Sequence, residues 1–275
     1  MSEELINKVL AEVVKKMGGD GPESSTAPAP AAPSAPAAPT PAAGTLPAVT
    51  EFVGTNVLGD TIGLVIANVD PQLHAMMKLE KNFRSIGILG ARTGAGPHIF
   101  AADEAVKATN SEILSIELPR DTKGGAGHGS LIIFGAEDVS DARRAVEVAL
   151  GELDRTFGDV YANDAGHLEF QYTARASFAL NKAFGAPIGK AFGITVGGPA
   201  AIGVVLADTA VKAATVDVIG YASPAGGTSY SNEAISFLSG DSGAVRQAII
   251  AAREVGIPLL ASLGATPESI TTPYI

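Results

Sequence analysis

The chain has 275 residues and no cysteine, which excludes disulfides, thiolate metal sites and cysteine nucleophiles. Its net charge is −10 and it has no run of Lys or Arg, which argues against a nucleic-acid partner, because phosphate neutralisation needs clustered basic side chains. Hydrophobic residues make up 46% of the chain and charged residues 17%, with 32 glycines, so many surfaces must be small-residue surfaces that pack in an assembly.

The first residues predict a short amphipathic helix over 3–17. Glutamates stand at its start and lysines at its end, an order that the helix dipole favours. The helix carries an apolar stripe at helical spacing, formed by Leu5, Ile6, Val9, Leu10, Val13 and Val14. The acidic start is unlike a signal peptide, and the apolar stretch 194–216 is broken by Asp208 and Lys212. We therefore expect a cytoplasmic protein without a membrane partner.

Residues 18–48 are a tract of Ala, Pro, Ser and Gly without large apolar side chains. Such a composition cannot offset the entropy lost on folding, so this tract is predicted to be a disordered linker. A short helix at the end of a linker is stabilised only by packing onto something else. Residues 1–17 are therefore predicted to dock onto a partner, with packing back onto the chain's own body as the alternative.

From residue 49 onward the chain repeats itself. The segment 102–108 (ADEAVKA) recurs at 207–213 (ADTAVKA), and 79–83 and 138–143 recur, in the same order, at 180–184 and 241–246. The spacing stays near 100 residues, which is too long for a solenoid unit and indicates duplication of a domain.

Each repeat predicts a small α/β unit with the order strand, helix, two strands, helix. In the first repeat these elements are predicted at 85–89, 101–109, 113–118, 130–134 and 140–157. In the second they are predicted at 193–196, 200–213, 216–223, 233–238 and 242–255. Asp138 and Asp241 precede the last helices, where a carboxylate can accept from free backbone N–H groups.

The second repeat, with ADTAVKAATVDVIGY at 207–221 and SGDSGAVRQAIIAAREVG at 239–256, closely resembles the bacterial microcompartment (BMC) shell domain. The chain after residue 48 resembles the circularly permuted tandem-domain members of that family, of the propanediol-utilisation type. KLEKNFRSIGILGARTGAGPHIFAADEAVKATN at 78–110 carries this likeness in the first repeat.

The resemblance implies an α+β, ferredoxin-like fold with two BMC domains, at 49–158 and 159–275, in a pseudohexameric homotrimer. It implies a structural shell protein, with other shell proteins as neighbours and with encapsulated enzymes bound through the N-terminal helix. Lys107 and Lys212 would lie on the seam between tiles, with Arg155 and Arg253 beside them. The alternative for the two lysines is an ordinary solvated helix end.

The glycine-rich loops 90–96 and 121–129 lack the Gly-Lys-Ser/Thr signature of a phosphate-binding loop. In a tile, the loop 121–129 and its counterpart 223–229 would line a pore, because glycine lets backbones approach closely while showing N–H and C=O groups to solvent. The residues predicted for this role are Lys123, Gly124, Gly125, Gly127, His128, Gly226, Gly227, Thr228 and Ser229. Such a pore would suit a small polyol, propanediol or glycerol, better than an aldehyde that can only accept hydrogen bonds. His128 could respond to pH, or could be an exposed loop residue without a role.

The resemblance also implies polyol-binding channels between the domains, for which Thr93, Gly94, Asp159 and Thr195 are candidates, each with a purely structural role as the alternative. The four histidines are scattered and show no metal-ligand spacing, so we expect no catalytic residue, metal or cofactor. The alternative function is a small-metabolite-binding regulator or enzyme built on duplicated α/β domains.

Overall fold

The computed structural model describes residues 49–120 and 127–275, and these form part of one compact unit. The predicted docking helix, the linker and the loop residues Lys123, Gly124 and Gly125 lie outside the described residues. Within the described part of the chain, no helix is long and apolar enough to cross a bilayer.

The first repeat is an antiparallel sheet with two long helices. Its elements are β1 (Phe52–Asn56), β2 (Thr61–Ile66), α1 (Pro71–Met76), β3 (Ser85–Ala91), α2 (Ala95–Ala108), β4 (Glu112–Glu117), β5 (Ser130–Ala136) and α3 (Val139–Thr156). The strand order is β1-β2-β3-β5-β4.

The second repeat follows the same plan. Its elements are β6 (Val160–Asn163), β7 (Gly166–Thr173), α4 (Phe178–Phe184), β8 (Ala191–Gly198), α5 (Ala200–Ala213), β9 (Asp217–Ala222), β10 (Ala234–Gly240), α6 (Ser242–Ala261) and β11 (Glu268–Ser269). The strand order is β11-β6-β7-β8-β10-β9, so each repeat also contains a hairpin, β1–β2 or β6–β7, that the sequence did not predict.

The predicted order of strands and helices is confirmed in both repeats, with differences at the ends. Helix α5 has the predicted bounds, whereas α2 begins six residues before the predicted start at 101. Gly94 caps α2 in the left-handed region with φ of 91°, and Pro97 lies in its first turn. Glycine and proline there mark a helix start rather than a loop.

The expected capping by Asp138 and Asp241 is wrong. Both residues stand at the N-cap of their helices, α3 and α6, but neither side chain makes a capping hydrogen bond.

The largest hydrophobic cluster includes residues of both repeats. Phe100 of α2 stacks on Phe192 of β8 with ring centroids 5.9 Å apart, and Phe184 of α4 stacks on Phe237 of β10 at 5.0 Å. Stacked aromatic pairs of this kind add to the free energy gained from burial. The two repeats therefore share a core.

Candidate functional site

Helices α2 and α5 are the two copies of the repeated segment, and their environments differ. On α2 the side chains of Ile99, Phe100 and Val106 are at most 9% exposed, because α4 of the second repeat packs against this helix. The corresponding residues of α5 are exposed, at 51% for Val204, 42% for Val205 and 37% for Val211. The face that the chain covers on its first repeat is left uncovered on its second.

Two equivalent aspartates, Asp103 on α2 and Asp208 on α5, differ in burial in the same way. Asp103 is fully buried and accepts hydrogen bonds from the backbone N–H groups of Ser177, at 3.0 Å, and Leu180, at 3.2 Å. Burial raises the pKa of the Asp103 carboxyl, while Lys107 acts in the opposite direction. Asp208 lies on the exposed face, and its carboxylate bonds Lys212 at 2.7 Å.

The four residues predicted for the tile edge do not form one group. Lys107 Nζ lies 2.9 Å from both Asp103 and Glu104, and Arg155 reaches Glu104 at 3.9 Å. The Lys212 side chain is 73% exposed. Arg253 instead bonds inside the chain, to Asp159 and to the carbonyl of Ile275.

The predicted channel residues also lie apart. The Asp159 carboxylate is fully buried and accepts from the backbone N–H groups of Tyr274, at 2.8 Å, and Ile275, at 3.0 Å. Thr195 is fully buried and bonds Ser236 within the sheet. A cavity lies between the two repeats, and neither Asp159 nor Thr195 lines it. Both side chains make hydrogen bonds within the fold instead. Thr93 and Gly94 stand at the start of α2, outside the residues that line that cavity.

A cavity of about 520 Å³ lies between the two repeats and is called the first cavity below. The described parts of the loops 121–129 and 223–229 meet there. The residues that line it include Gly96, Gly127, His128, Glu169, Phe184, Tyr221, Gly227, Thr228, Ser229, Glu233 and Phe237. Five of the predicted pore-loop residues thus surround one space, with aromatic walls and a polar end.

A second cavity of about 400 Å³ adjoins the first. The two cavities share the lining residues Gly127 and Glu233. His167, Asn163 and Asn232 are among the remaining residues that line the second cavity.

Glu233 lies where the two cavities meet and joins two imidazoles. Its Oε1 is 3.2 Å from Nδ1 of His128, and its Oε2 is 3.2 Å from Nε2 of His167. Burial acts to raise the pKa of the Glu233 carboxyl, but hydrogen bonds from the two histidines outweigh it and lower that pKa to about 2. His128 is therefore a mostly buried partner of Glu233 and not an exposed loop residue.

Glu169 completes this polar cluster. The residue is 4% exposed, and its Oε1 has no hydrogen-bond partner. Burial, and then the charge of Glu233, raise the pKa of Glu169 to about 8, so at neutral pH it is a protonated acid beside an ionised one. A side chain at Gly96 would collide with this oxygen, since a Cβ there would lie 1.8 Å from Oε1. Within residues 49–120 and 127–275, no three His, Asp or Glu side chains are arranged to hold a metal ion.

Sequence reasoning did not identify His167, Glu169 and Glu233. His167 and Glu169 alternate along β7, and both belong to the hairpin that was not predicted. The signal that could have revealed them is the spacing of polar residues at 167, 169 and 171, on one side of a strand.

The comparisons with known proteins identify both repeats. The BMC domain matches residues 85–164 and 191–266. The chain is 63% identical over 274 residues to the bacterial microcompartment shell protein PduB of Citrobacter freundii, covering 100% of this chain and 99% of that protein. The corresponding protein of Limosilactobacillus reuteri is 54% identical, covering 82% of this chain and 95% of its own length.

Solved structures agree with this assignment. A crystal structure of a trimeric bacterial microcompartment shell protein PduB superposes with a TM-score of 0.81 at 54% identity, covering 82% of this chain and 100% of that one. EtuB from Clostridium kluyveri superposes with a TM-score of 0.80 at 57% identity, covering 83% and 100%.

Proposed function

The chain belongs to the BMC-domain family of bacterial microcompartment shell proteins, and we propose that it builds the shell as a homotrimeric tile that small polar metabolites cross. The expected resemblance is confirmed, and with it the tandem-domain α/β fold. The relatives are shell proteins, so the chain is a structural protein and not an enzyme.

The trimer proposal rests on the difference in burial between α2 and α5. Inside one chain the second repeat covers α2, so in a ring of three chains the first repeat of the next copy would cover α5 in the same way. Val204, Val205 and Val211 would then be buried as their counterparts on α2 are. A ring of three closes this head-to-tail contact, so that α5 of every copy would be covered.

The same symmetry assigns a contact to Asp208. Asp103 caps backbone amides at the start of α4, and the sequence repeat pairs 180–184 with 79–83. In the trimer Asp208 would accept hydrogen bonds from backbone amides near Leu79 of the next copy. Its present exposure supports this, since an aspartate at this position is buried in the first repeat.

The pore would form where the glycine-rich loops of the three chains meet. Gly127 and His128 from one loop, and Gly226, Gly227, Thr228 and Ser229 from the other, would alternate around the axis. A pore lined in this way selects solutes by how easily they lose part of their hydration shell, and it suits a diol or triol.

Small polyols such as propanediol or glycerol would also enter the first cavity. Glu169, protonated at neutral pH, can donate to a hydroxyl there, and Phe184 and Phe237 provide an apolar wall for a carbon chain. These residues would form the channel site, because Asp159 and Thr195 do not line this cavity.

Lys107, Lys212 and Arg155 would stand at the tile edge and bond neighbouring shell proteins. The N-terminal helix, with its stripe from Leu5 to Val14, would join encapsulated enzymes to the shell. The pathway would be the utilisation of 1,2-propanediol, as the resemblance in sequence implies.

The test is the mass of the full-length protein in solution, together with electron microscopy of the concentrated protein. We expect a mass near three chains and hexagonal sheets. The double variant Val204→Asp/Val205→Asp should be monomeric, because burying unpaired carboxylates costs several kcal/mol each. Val57→Asp is the control, since Val57 is an exposed valine, at 84%, between β1 and β2 of the first repeat. A wild-type monomer or dimer without sheets would refute the tile.

A further inference from the structure

A third cavity, of about 500 Å³, lies where the ends of α2 and α3 meet the end of β7 and the start of α6. It shares no lining residue with the first or the second cavity. Four basic and two acidic side chains line it, and these are Lys107, Arg155, Arg175, Arg246, Glu104 and Glu152. The cavity therefore has an excess of positive charge, in a chain whose net charge is −10.

Both carboxylates of the third cavity are paired within the fold. Nζ of Lys107 lies 2.9 Å from Glu104 and also 2.9 Å from the buried Asp103, and Nε of Arg155 lies 2.7 Å from Glu152. Lys107 and Arg155 stand in the last turns of α2 and α3, where a cation offsets the partial negative charge of the helix end. The charges of these two basic side chains are therefore balanced locally.

Arg175 and Arg246 are the two basic side chains that remain. Both are exposed residues that line the third cavity. Within residues 49–120 and 127–275, neither guanidinium forms an ion pair with a carboxylate. A guanidinium presents its N–H donors as a planar fork that fits two oxygens of one anion. Two such groups in the lining of one cavity can bind the same anion together.

Two tyrosines give the third cavity an ordered wall. Oη of Tyr274 accepts from the backbone N–H of Tyr172 at 3.0 Å, and Oη of Tyr172 lies 2.5 Å from Oγ of Ser242. The guanidinium of Arg155 lies over the Tyr274 ring, 5.0 Å from its centroid, a cation–π contact that restrains this arginine. The cavity has the size of a site for a small molecule.

We propose that the third cavity binds a dianionic phosphoryl group through Arg175 and Arg246, either as free phosphate or as the end of a small phosphate monoester. A phosphoryl group suits two guanidiniums better than a single carboxylate does, because it has more than two oxygens that can accept hydrogen bonds and a second negative charge. This inference goes beyond the proposed function, since neither arginine has a role in the trimer contact, the pore or the polyol channel.

The site is formed once in each chain. The offsets between the repeated segments place Thr209 where the first repeat has Glu104, and Pro258 where it has Arg155. The corresponding position of the second repeat therefore lacks two of the charged side chains that line the third cavity. We expect one bound phosphoryl group for each chain, and not one for each repeat.

Isothermal titration calorimetry of the full-length protein with inorganic phosphate tests the site, at low ionic strength and about pH 8, where a phosphoryl group is doubly charged. We expect saturable binding at one site per chain, which added salt weakens. The double variant Arg175→Gln/Arg246→Gln should bind phosphate at least about tenfold more weakly, because both unpaired guanidiniums are lost.

Arg84→Gln/Arg144→Gln is the matched control. It removes the same charge from two exposed arginines outside the lining of the third cavity, and it should bind phosphate as the wild type does. Solution mass and thermal unfolding show whether each variant folds, and the two single variants serve if Arg175→Gln/Arg246→Gln does not.

Equal loss of binding in the two double variants would show attraction by overall charge and would overturn the site, as would a wild type without saturable binding. Acetate that binds as tightly as phosphate would overturn the choice of a dianion. Titration with glycerol phosphate separates the two sources of the phosphoryl group. Binding at least as tight as that of inorganic phosphate supports a monoester, whereas binding of inorganic phosphate alone supports free phosphate.

Discussion

Nη1 of Arg253 lies 2.5 Å from Oδ1 of Asp159, a carboxylate with no exposed surface. The other oxygen of Asp159 accepts from the backbone N–H groups of Tyr274 and Ile275. These four residues, which we call the terminal clasp, hold the end of the chain against the entry to the second repeat. A buried ion pair of this kind is costly to break from one side.

Asp159→Asn should lower the free energy of unfolding by about 3 kcal/mol, because the variant leaves the guanidinium of Arg253 without its anion. Urea unfolding of the full-length protein measures this change. Asp154→Asn is the control, since Asp154 is an exposed aspartate near the end of α3. Equal midpoints for the two variants would contradict a stabilising clasp.

Glu169 should make stability depend on pH. The folded protein keeps the proton of this residue up to about pH 8, whereas the unfolded chain loses it near its ordinary value of 4.5. Between these values the native state binds more protons, so stability falls as the pH rises. Glu169→Gln removes that fall. Its advantage over wild type should grow across this window to on the order of 5 kcal/mol and then stay constant.

Denaturant unfolding of Glu169→Gln at a series of pH values, with Glu254→Gln as control, tests this. A difference from wild type that stays constant with pH would show that Glu169 is ionised in the folded protein.

The sequence predicted the order of elements because the repeated segments have clear periodicity, as in α5. It did not predict β7, since His167, Glu169 and Gln171 give this buried strand a polar pattern. Nor could it pair His128 with Glu233, because residues so far apart in sequence meet only through the packing of one repeat on the other. The tile-edge assignment came from the family resemblance, the docking helix from its apolar stripe and linker, and the pore from the glycine-rich loops together with the resemblance; all three remain predictions.

Lys212→Ala should leave the trimer intact and prevent sheets, because the Lys212 side chain is 73% exposed in the single chain and is predicted to lie on the seam between tiles. Lys107→Ala should also impair sheets and in addition lower stability, since Lys107 bonds the buried carboxylate of Asp103. Solution mass, electron microscopy and thermal unfolding separate these effects. Lys190→Ala replaces another exposed lysine and should form normal sheets. Sheets from Lys212→Ala would exclude this residue from the tile edge.

Deletion of residues 1–17 should leave the trimer folded and should separate encapsulated enzymes from the shell. Co-purification of enzymes with tagged trimers measures this. Leu10→Asp in the full-length chain should have the same effect, because it places a charge in the predicted apolar stripe. Lys15→Ala, on the polar side of the predicted helix, is the control. Enzymes that still co-purify after the deletion would refute the docking role.

The aromatic stack that joins the repeats limits how this protein can be divided or recombined. Phe100 lies on α2 of the first repeat and stacks on Phe192. Together with Phe184 and Phe237, Phe192 forms an aromatic core in the second repeat. Neither half presents a finished interior by itself, so the duplicated halves melt as one cooperative unit and cannot be exchanged singly between relatives. A chimera that takes one half from another shell protein must bring matching aromatic partners with it.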